Sequence, residues 1–336
     1  MKQTVIVVPN WNGKETLGAC LDSLLNQSVA AYVVVVDNGS SDGSVDFITT
    51  HYPEVHMIVN QRNLGFAGGV NCGICQALDQ NAEFVALFNN DAVADNHWLE
   101  QLLKEAEGHP GAGIITGKLV SFDRKFLDST GDMYTNWGLP YPRGRDDKDL
   151  DKYDQSRDIF GASGGASLFR TVVFKEIGLF DEDFFAYYED IDLSFRAQLA
   201  GWKVRYAPQA VAYHHIGHTS NKIKGFTTYQ TMKNLPLVWL KNVPSRYLWS
   251  VGWRLGLANC LFILRAFVRR QGIAALKGSL KSLGLIYNKL PERKQIQANK
   301  KVSDDYFWGI IVHDLPPNAA KLRRVRLIWR RLARHG

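Results

Sequence analysis

Cysteine is scarce in this 336-residue chain, and the four that occur, Cys20, Cys72, Cys75 and Cys260, are too scattered for the disulfide framework of a small secreted protein. A reducing cytoplasm fits that usage. Cys72 and Cys75 form a C-x-x-C, but no second Cys or His pair stands nearby to complete a tetrahedral zinc site, so both are expected in a helix core. Export is not expected either: MKQTVIVVPNWNG has one Lys and a short apolar run cut off by Pro9 and Asn10, short of the length of a signal peptide. No long apolar run is free of polar interruptions. The most apolar window, Tyr247 to Val268, contains Arg254, Asn259 and Arg265, so it is expected not to span about 30 Å of hydrocarbon.

Acidic residues become rare toward the C-terminus. Residues 1–240 carry 20 Lys and Arg against 29 Asp and Glu, a balance of −9, whereas residues 241–336 carry 20 against 4, a balance of +16. This division predicts an acidic body joined to a basic element that meets phosphates on a membrane or nucleic acid. With 46% hydrophobic residues and 12% aromatic, the composition is that of a packed globular protein, not a disordered one.

The first 110 residues alternate strand and helix patterns. Val5 to Val8 and Tyr32 to Val36 are continuously apolar, as strands covered on both faces are, and Glu83 to Phe88 forms another. A short strand at Met57–Val59 lies between them. Helical spacing follows at Leu17, Leu21, Leu24 and Leu25, at Ala67–Leu78 and around Trp98 to Ala106. This order predicts an α/β fold with a mostly parallel sheet flanked by helices. Ligands in such sheets collect at the carboxyl ends of the strands. Pro9-Asn10-Trp11-Asn12, Asp37-Asn38-Gly39 and Asn89-Asn90-Asp91 all follow strands and are expected along one crevice.

Between Arg143 and Asp158, eleven of sixteen residues are charged and no period persists, which predicts a mobile surface segment with structure resuming at Ile159. The small residues Gly161 to Ala166 permit close backbone approach to a ligand or another element. Glu189, Asp190 and Asp192 open a helix that ends near Gly201, and a strand from Ala210 to Tyr213 delivers His214-His215. Past about residue 225 the pattern is helical. After Pro317, Leu322, Val325, Trp329 and Leu332 recur at helical spacing among seven Lys and Arg, which predicts a basic amphipathic helix suited to an anionic bilayer surface.

These residues suit transfer from a nucleotide diphosphate donor, which requires gripping a base, neutralising a diphosphate and activating a hydroxyl. Asp37 can accept hydrogen bonds from a base or ribose, with the backbone near Pro9 and Trp11 edging the base. Asp91 can bind a hard divalent cation through oxygen, and His214 is placed to add an imidazole. Glu189, Asp190 and Asp192 compete for the general base. On a helix Asp190 and Asp192 point to roughly opposite sides, so at most one faces the crevice.

The ordered segments VIVVPNWNG (5–13), VVVVDNGSSDGS (33–44), NLGFAGGVNCGI (63–74), FNNDAV (88–93), IGLFDEDFFAYYEDIDLSFRAQLAGW (177–202) and YHHIGHTS (213–220) resemble the family-2 glycosyltransferases of the GT-A fold, in their bacterial rhamnosyltransferase-like branch. The resemblance covers about residues 1–220. It implies that Asp37 contacts a pyrimidine and that Asn63 and Gly65 lie in the donor pocket. With Pro9, Trp11, Asn12, Asn38, Arg62 and Asn90 they make up the expected nucleotide-sugar set. It also implies Asp91 and His214 as ligands of Mg2+ or Mn2+, with His215 as the alternative imidazole. Asp190, beside Glu189, is implied as the base, and Gly164, Gly165 and Trp137 are placed on the acceptor side. Asn89 and Asn90 stand where many relatives carry carboxylates, so metal and donor are expected to bind together.

The family implies inversion at the anomeric carbon, and the branch implies dTDP-rhamnose over a UDP-sugar, with a lipid-linked saccharide as acceptor. A catalytic domain is expected over 1–225 and a membrane-associating helical region over 226–336, on the inner face of the cell membrane. No nucleic-acid partner is expected, and an oligomer is compatible with the sequence. The N-terminus has no Gly-rich basic loop for a triphosphate, which argues against a sugar-1-phosphate nucleotidyltransferase.

Overall fold

The computed structural model describes residues 3–215 and 223–319. Residues 216–220 of the last motif and the amphipathic helix expected beyond Pro317 lie outside or at the very edge of the described residues. The chain opens with β1 (Thr4–Asn10), α1 (Lys14–Leu25), β2 (Tyr32–Asp37), α2 (Ser44–His51), β3 (His56–Val59), α3 (Gly65–Asp79) and β4 (Phe84–Phe88). It continues with β5 (Ala92–Ala94), α4 (Trp98–Gly108), β6 (Ala112–Ser121), β7 (Leu127–Ser129), β8 (Asp132–Tyr134), β9 (Pro140–Pro142), β10 (Arg157–Ile159) and β11 (Ala166–Arg170). Then come α5 (Thr171–Ile177), α6 (Glu189–Leu199), β12 (Lys203–His214), α7 (Phe226–Asn242), α8 (Ser245–Val268), α9 (Gly272–Ala298) and α10 (Asp304–Ile310).

The main sheet runs β10-β12-β6-β11-β4-β1-β2-β3. Strands β4, β1, β2 and β3 are mutually parallel, β11 is antiparallel to both its neighbours, and β6 and β12 are again parallel. Alternation along the buried strands sorts side chains to two faces. Ile6, Val8, Phe84 and Phe88 pack with Leu17 and Leu21 of α1 and Trp98 and Leu102 of α4. Val5, Val7, Val85 and Leu87 pack with Val70 and Ile74 of α3 and Leu193 and Ala197 of α6. The far side of α6 meets the C-terminal helices, where Phe195 and Phe160 join Leu237, Val238, Leu285 and Phe307.

Two local expectations are corrected. The charged segment 143–158 is tied to the sheet: Arg143 lies over Tyr153 and Tyr206, at 4.7 and 5.3 Å from the ring centroids. Arg157 pairs with Tyr206 of β12, so the strand begins two residues before Ile159. Charge density concealed this anchoring because Lys118, reaching out of β6, pairs with Asp154 and the Leu150 carbonyl. The C-x-x-C is not core on both sides either. Cys72 is half-buried and Cys75 exposed, since the packed stripe of α3 runs through Ala67, Val70, Ile74 and Ala77.

Helix α6 is joined to the C-terminal helices by buried charges. Asp192, fully buried, is paired with Arg196 at 2.9 Å and Lys241 at 3.1 Å and accepts from Asn242 Nδ2 at 2.8 Å. Lys241 and Lys289 both reach Asp181, just upstream. Removing one member strands the others in a poorly hydrated site. Asp192→Ala is expected to lower unfolding stability by about 3 kcal/mol in a denaturant titration; a change under about 0.5 kcal/mol, the range of an ordinary surface substitution, would count against this pinning role.

Candidate active site

The carboxyl ends of β1, β2 and β4 converge as parallel neighbours must, with Asn10 in register with Asp37. There a cavity of about 810 Å³ opens, within the size range of small-molecule sites. Its floor is a chain of side-chain hydrogen bonds. Asn90 Nδ2 donates to Asn10 Oδ1 at 2.7 Å, Asn10 Nδ2 donates to Asp37 Oδ2 at 2.9 Å, and Asp37 Oδ1 accepts from Ser40 N at 2.9 Å. Asn38 Nδ2 donates to the Gly65 carbonyl at 2.9 Å, which links this floor to the start of α3. Gly65 has φ +76°, and a Cβ there would lie 2.3 Å from the Phe185 carbonyl. Only glycine fits that approach.

Beyond β4, the antiparallel pairing of β12 with β5 places His214 opposite Ala92, so its ring reaches Asp91. His214 Nε2 is 3.1 Å from Asp91 Oδ1 and 3.3 Å from Asn89 Nδ2. Its Nδ1 is 2.7 Å from Asp128 Oδ2, and Arg145 holds the other Asp128 oxygen at 2.8 Å. Burial favours the neutral ring, but the bonds to Asp128 and Asp91 outweigh it and push the imidazole up to about 9. Two adjacent ligands at about 2.1 Å from a cation lie about 3 Å apart, so Asp91 and His214 have the spacing of such a pair. The carboxylate behind the ring is the support that ligating histidines usually have. Among the described residues no group of three or more His, Cys, Asp or Glu forms a complete cation cage.

The third wall is the N-terminus of α6. Asp190 Oδ2 accepts from Gly164 N at 3.2 Å and Oδ1 from Ile191 N at 2.8 Å. Burial raises its carboxyl above the usual range, and the Gly164 and Ile191 bonds offset part of the rise. Glu189 is more deeply buried, and one of its oxygens has no hydrogen-bond partner. Burial and the neighbouring Asp190 push it well above the ordinary value, as burial and Asp190 also do to Asp132. Glu189 is therefore the poorer base near neutrality, and Asp192 faces α7 instead of the cavity.

Of the expected residues, Pro9, Trp11, Asn38, Asn63, Gly65, Asn90, Asp91, Gly164, Gly165, Glu189, Asp190 and His214 line the cavity. Four do not. Asp37 is wholly buried, with both oxygens engaged inward, so in this structure it braces the floor where a free acceptor was expected. Asn12 turns outward and accepts from Ser41 N at 2.8 Å, and Arg62 is exposed beyond the rim. Trp137 packs against α8, 6.3 Å from the Trp253 ring, because the β8–β9 hairpin points it away from the cavity. His215 stacks on Phe122 at 3.6 Å instead of facing Asp91. Asp128, Asp132, Arg145, Tyr141 and Phe226 line the site without having been foreseen. Nothing in their local sequence marks them.

The sequence model of "Glycosyl transferase family 2" matches residues 5–178, half of the chain. The chain belongs to this family. The family-2 chain is 30% identical over 212 residues to the N-acetylglucosaminyl-diphospho-decaprenol L-rhamnosyltransferase of Mycobacterium tuberculosis, covering 56% of itself and 68% of that protein. It is 26% identical over 214 residues to the dTDP-rhamnosyl transferase RfbF of Shigella flexneri, covering 63% and 68%. These relatives place it in the rhamnosyltransferase-like branch of the glycosyltransferases. Its fold is GT-A. The mannosyltransferase PcManGT of Pyrobaculum calidifontis, solved with GDP-Man and Mn2+, superposes with a TM-score of 0.52 at 16% identity, covering 88% of this chain and 84% of that one. TarS 1-349 of S. aureus, solved with UDP-GlcNAc, superposes with a TM-score of 0.55 at 15% identity, covering 88% and 83%.

A glycosyltransferase base must be ionised to accept a proton, so activity is lost as pH falls through its pKa. With Asp190 raised, the acid limb of kcat/KM is expected above the ordinary aspartate value of about 3.9. A profile still flat below pH of about 4 would remove Asp190 from that role.

Proposed function

We propose that this glycosyltransferase moves rhamnose from dTDP-rhamnose to a hydroxyl of a lipid-linked saccharide, with inversion, in cell-surface polysaccharide assembly. The observation that carries the reading is one cavity walled by the Asp91–His214 pair, the Asn10–Asn38 floor and Asp190. The names of the two rhamnosyltransferase relatives favour the sugar, and the first of them favours a diphospho-lipid saccharide. In the proposed step an Asp190 oxygen takes the acceptor proton as the acceptor oxygen bonds to the anomeric carbon. The bond from that carbon to the diphosphate oxygen breaks, and the nucleoside diphosphate leaves with its electron pair. Asp91 and His214 would hold Mg2+ or Mn2+, which supplies charge neutralisation to the diphosphate. Asn89 and Asn90 contribute no charge beside Asp91, so donor and cation bind as a coupled pair in this reading. The enzyme would work peripherally at the inner face of the cell membrane.

A panel of dTDP-, UDP- and GDP-sugars tests the donor, since a ligand bound only to the folded chain raises its melting temperature. Selective stabilisation by dTDP-rhamnose in the presence of Mn2+ is expected, and selective stabilisation by a UDP-sugar would overturn the rhamnose assignment. Asp190→Asn should keep that donor-induced shift while transfer falls by roughly 10²- to 10⁴-fold. Near-normal turnover would refute the base. Asp91→Ala should abolish the Mn2+-dependent part of the shift.

A further inference from the structure

Among the described residues, helices α8 and α9 carry a large exposed apolar surface. On α8, Trp249, Trp253, Leu257, Leu261, Leu264 and Phe267 recur every three or four residues, and Trp249 and Leu264 are 81% and 64% exposed. On α9, Ile273, Leu276, Leu280, Leu283 and Tyr287 repeat the pattern, with Leu280 at 68% and Leu283 at 66%. Each spacing is a single helical stripe. The opposite stripes are already packed on the body: Val251, Leu255 and Ala258 are buried on α8, and Ala275, Gly278 and Leu285 on α9. Gly278 lies so close to α7 that a Cβ would come 2.3 Å from the Tyr229 carbonyl, which fixes which way α9 faces. The outward stripes are not packed on the body. Together they exceed the scattered exposed apolar residues that a soluble surface carries.

Charge identifies the occupant. From residue 243 to 291 there is no Asp or Glu, while Arg and Lys occur eight times. Arg265, Arg269, Arg270, Lys277 and Lys281 are exposed along or between the stripes. A second copy of the chain docking by this face would bring cations against cations, which disfavours a two-fold dimer. Trp and Tyr among aliphatics, flanked only by cations, match the boundary between acyl chains and anionic headgroups. We propose that the α8–α9 face is a bilayer-embedding surface that lies in the plane of an anionic membrane. Helix α8, with 24 residues and a mean hydropathy of 1.4 in its most apolar window, is long and apolar enough to cross a membrane by length and composition alone. Its packed stripe holds it along the body: a Cβ on Gly252 would meet the Trp239 ring at 2.6 Å. The helix is therefore seated sideways. This face is built of α8 and α9 residues alone and does not depend on which sugar is transferred. The face also adjoins the catalytic cavity, because Trp137, in the hairpin whose Pro140–Pro142 segment lines that cavity, packs beside Trp253.

The test is co-sedimentation of the full chain with vesicles of about three parts phosphatidylcholine to one part phosphatidylglycerol, against phosphatidylcholine alone. Wild type should bind the anionic vesicles more tightly. Leu264→Glu combined with Leu280→Glu should weaken that binding at least about tenfold with an unchanged thermal melt, since both side chains are exposed. Lys277→Gln with Lys281→Gln should reduce binding to anionic vesicles and leave the weak neutral binding alone. Undiminished binding by the double glutamate variant overturns the proposal. So does a wild-type dimer in sedimentation velocity that this variant dissociates while vesicle binding stays the same. Donor-induced stabilisation of the same variant is read separately: its survival separates loss of the membrane face from any failure of the transferase assignment.

Discussion

The side-chain amide of Asn234 holds the turn on which the site depends. Fully buried on α7, its Nδ2 shares its two hydrogens among the carbonyls of Phe184, Ala186 and Tyr187, at 2.9, 2.9 and 2.7 Å. Lys233 adds bonds to the carbonyls of Asp183 and Phe184. The turn needs such support because Phe185, Tyr187 and Tyr188 all have positive φ, at 62°, 69° and 72°. Each such residue costs on the order of 1–3 kcal/mol unless its surroundings impose the conformation. The bulk of the aromatics rules out the easy solution of glycine, so the restraint must come from a partner. Three parts of the site follow from this turn. Tyr188 launches α6 with Asp190 in its first turn, the Phe185 carbonyl accepts from Ala67 N at 3.2 Å, and Gly65 is pressed against that carbonyl. Gly65, Asp190 and helix α7 are thus coupled through one backbone segment.

The strand ends were legible in the sequence because parallel strands buried on both faces read as unbroken apolar runs, and the polar residues that stop them must lie at the open end of the sheet. Pro9, Asn38, Asn90 and Asp91 were visible for that reason. Strand β6 was not, although all ten of its residues are buried, because AGIITGKLVS has neither alternation nor a clean apolar run. Choosing among Glu189, Asp190 and Asp192 exceeded what spacing can do. It requires Lys241 and Asn242, some fifty residues away, to occupy Asp192, and burial beside Asp190 to raise the Glu189 carboxyl. Asp128 and Arg145 were hidden for the same reason. Their importance comes from His214, which is remote in sequence and meets them only when β12 lies beside β6 and β7 pairs with β6.

The inward orientation of Asp37 has a physical cause. A carboxylate at a strand end is read as facing the crevice, yet the two strands in register put Asn10 directly beside it, and the Ser40 amide closes over its other oxygen. Asp37 then orients Asn10, Asn10 accepts from Asn90, and Asn90 is adjacent to Asp91. The amides of Asn10 and Asn90 therefore connect Asp37 to the residue beside Asp91 by neutral hydrogen bonds. Carboxylates at both positions would add charge to a site that already gathers Asp91, Asp128, Asp132, Glu189 and Asp190.

That concentration of acid gives the C-terminal helices a part in the site beyond packing. Phe226 and Thr227, immediately past the boundary expected at residue 225, line the cavity. Lys233 sits near Glu189 and favours its charged form, although burial and Asp190 prevail over it. Farther along, Lys241 and Lys289 neutralise Asp181 and Asp192 on the side of the turn away from the cavity. Lys241 and Lys289 thus serve the buried carboxylates Asp181 and Asp192 of the acidic body, while Arg265, Arg269, Arg270, Lys277 and Lys281 are exposed in a stretch, residues 243 to 291, that has no Asp or Glu. The division of charge along the chain thus has two structural meanings. Inward-facing lysines fix the acid-bearing turn, and outward-facing ones flank the apolar stripes beside the cavity rim.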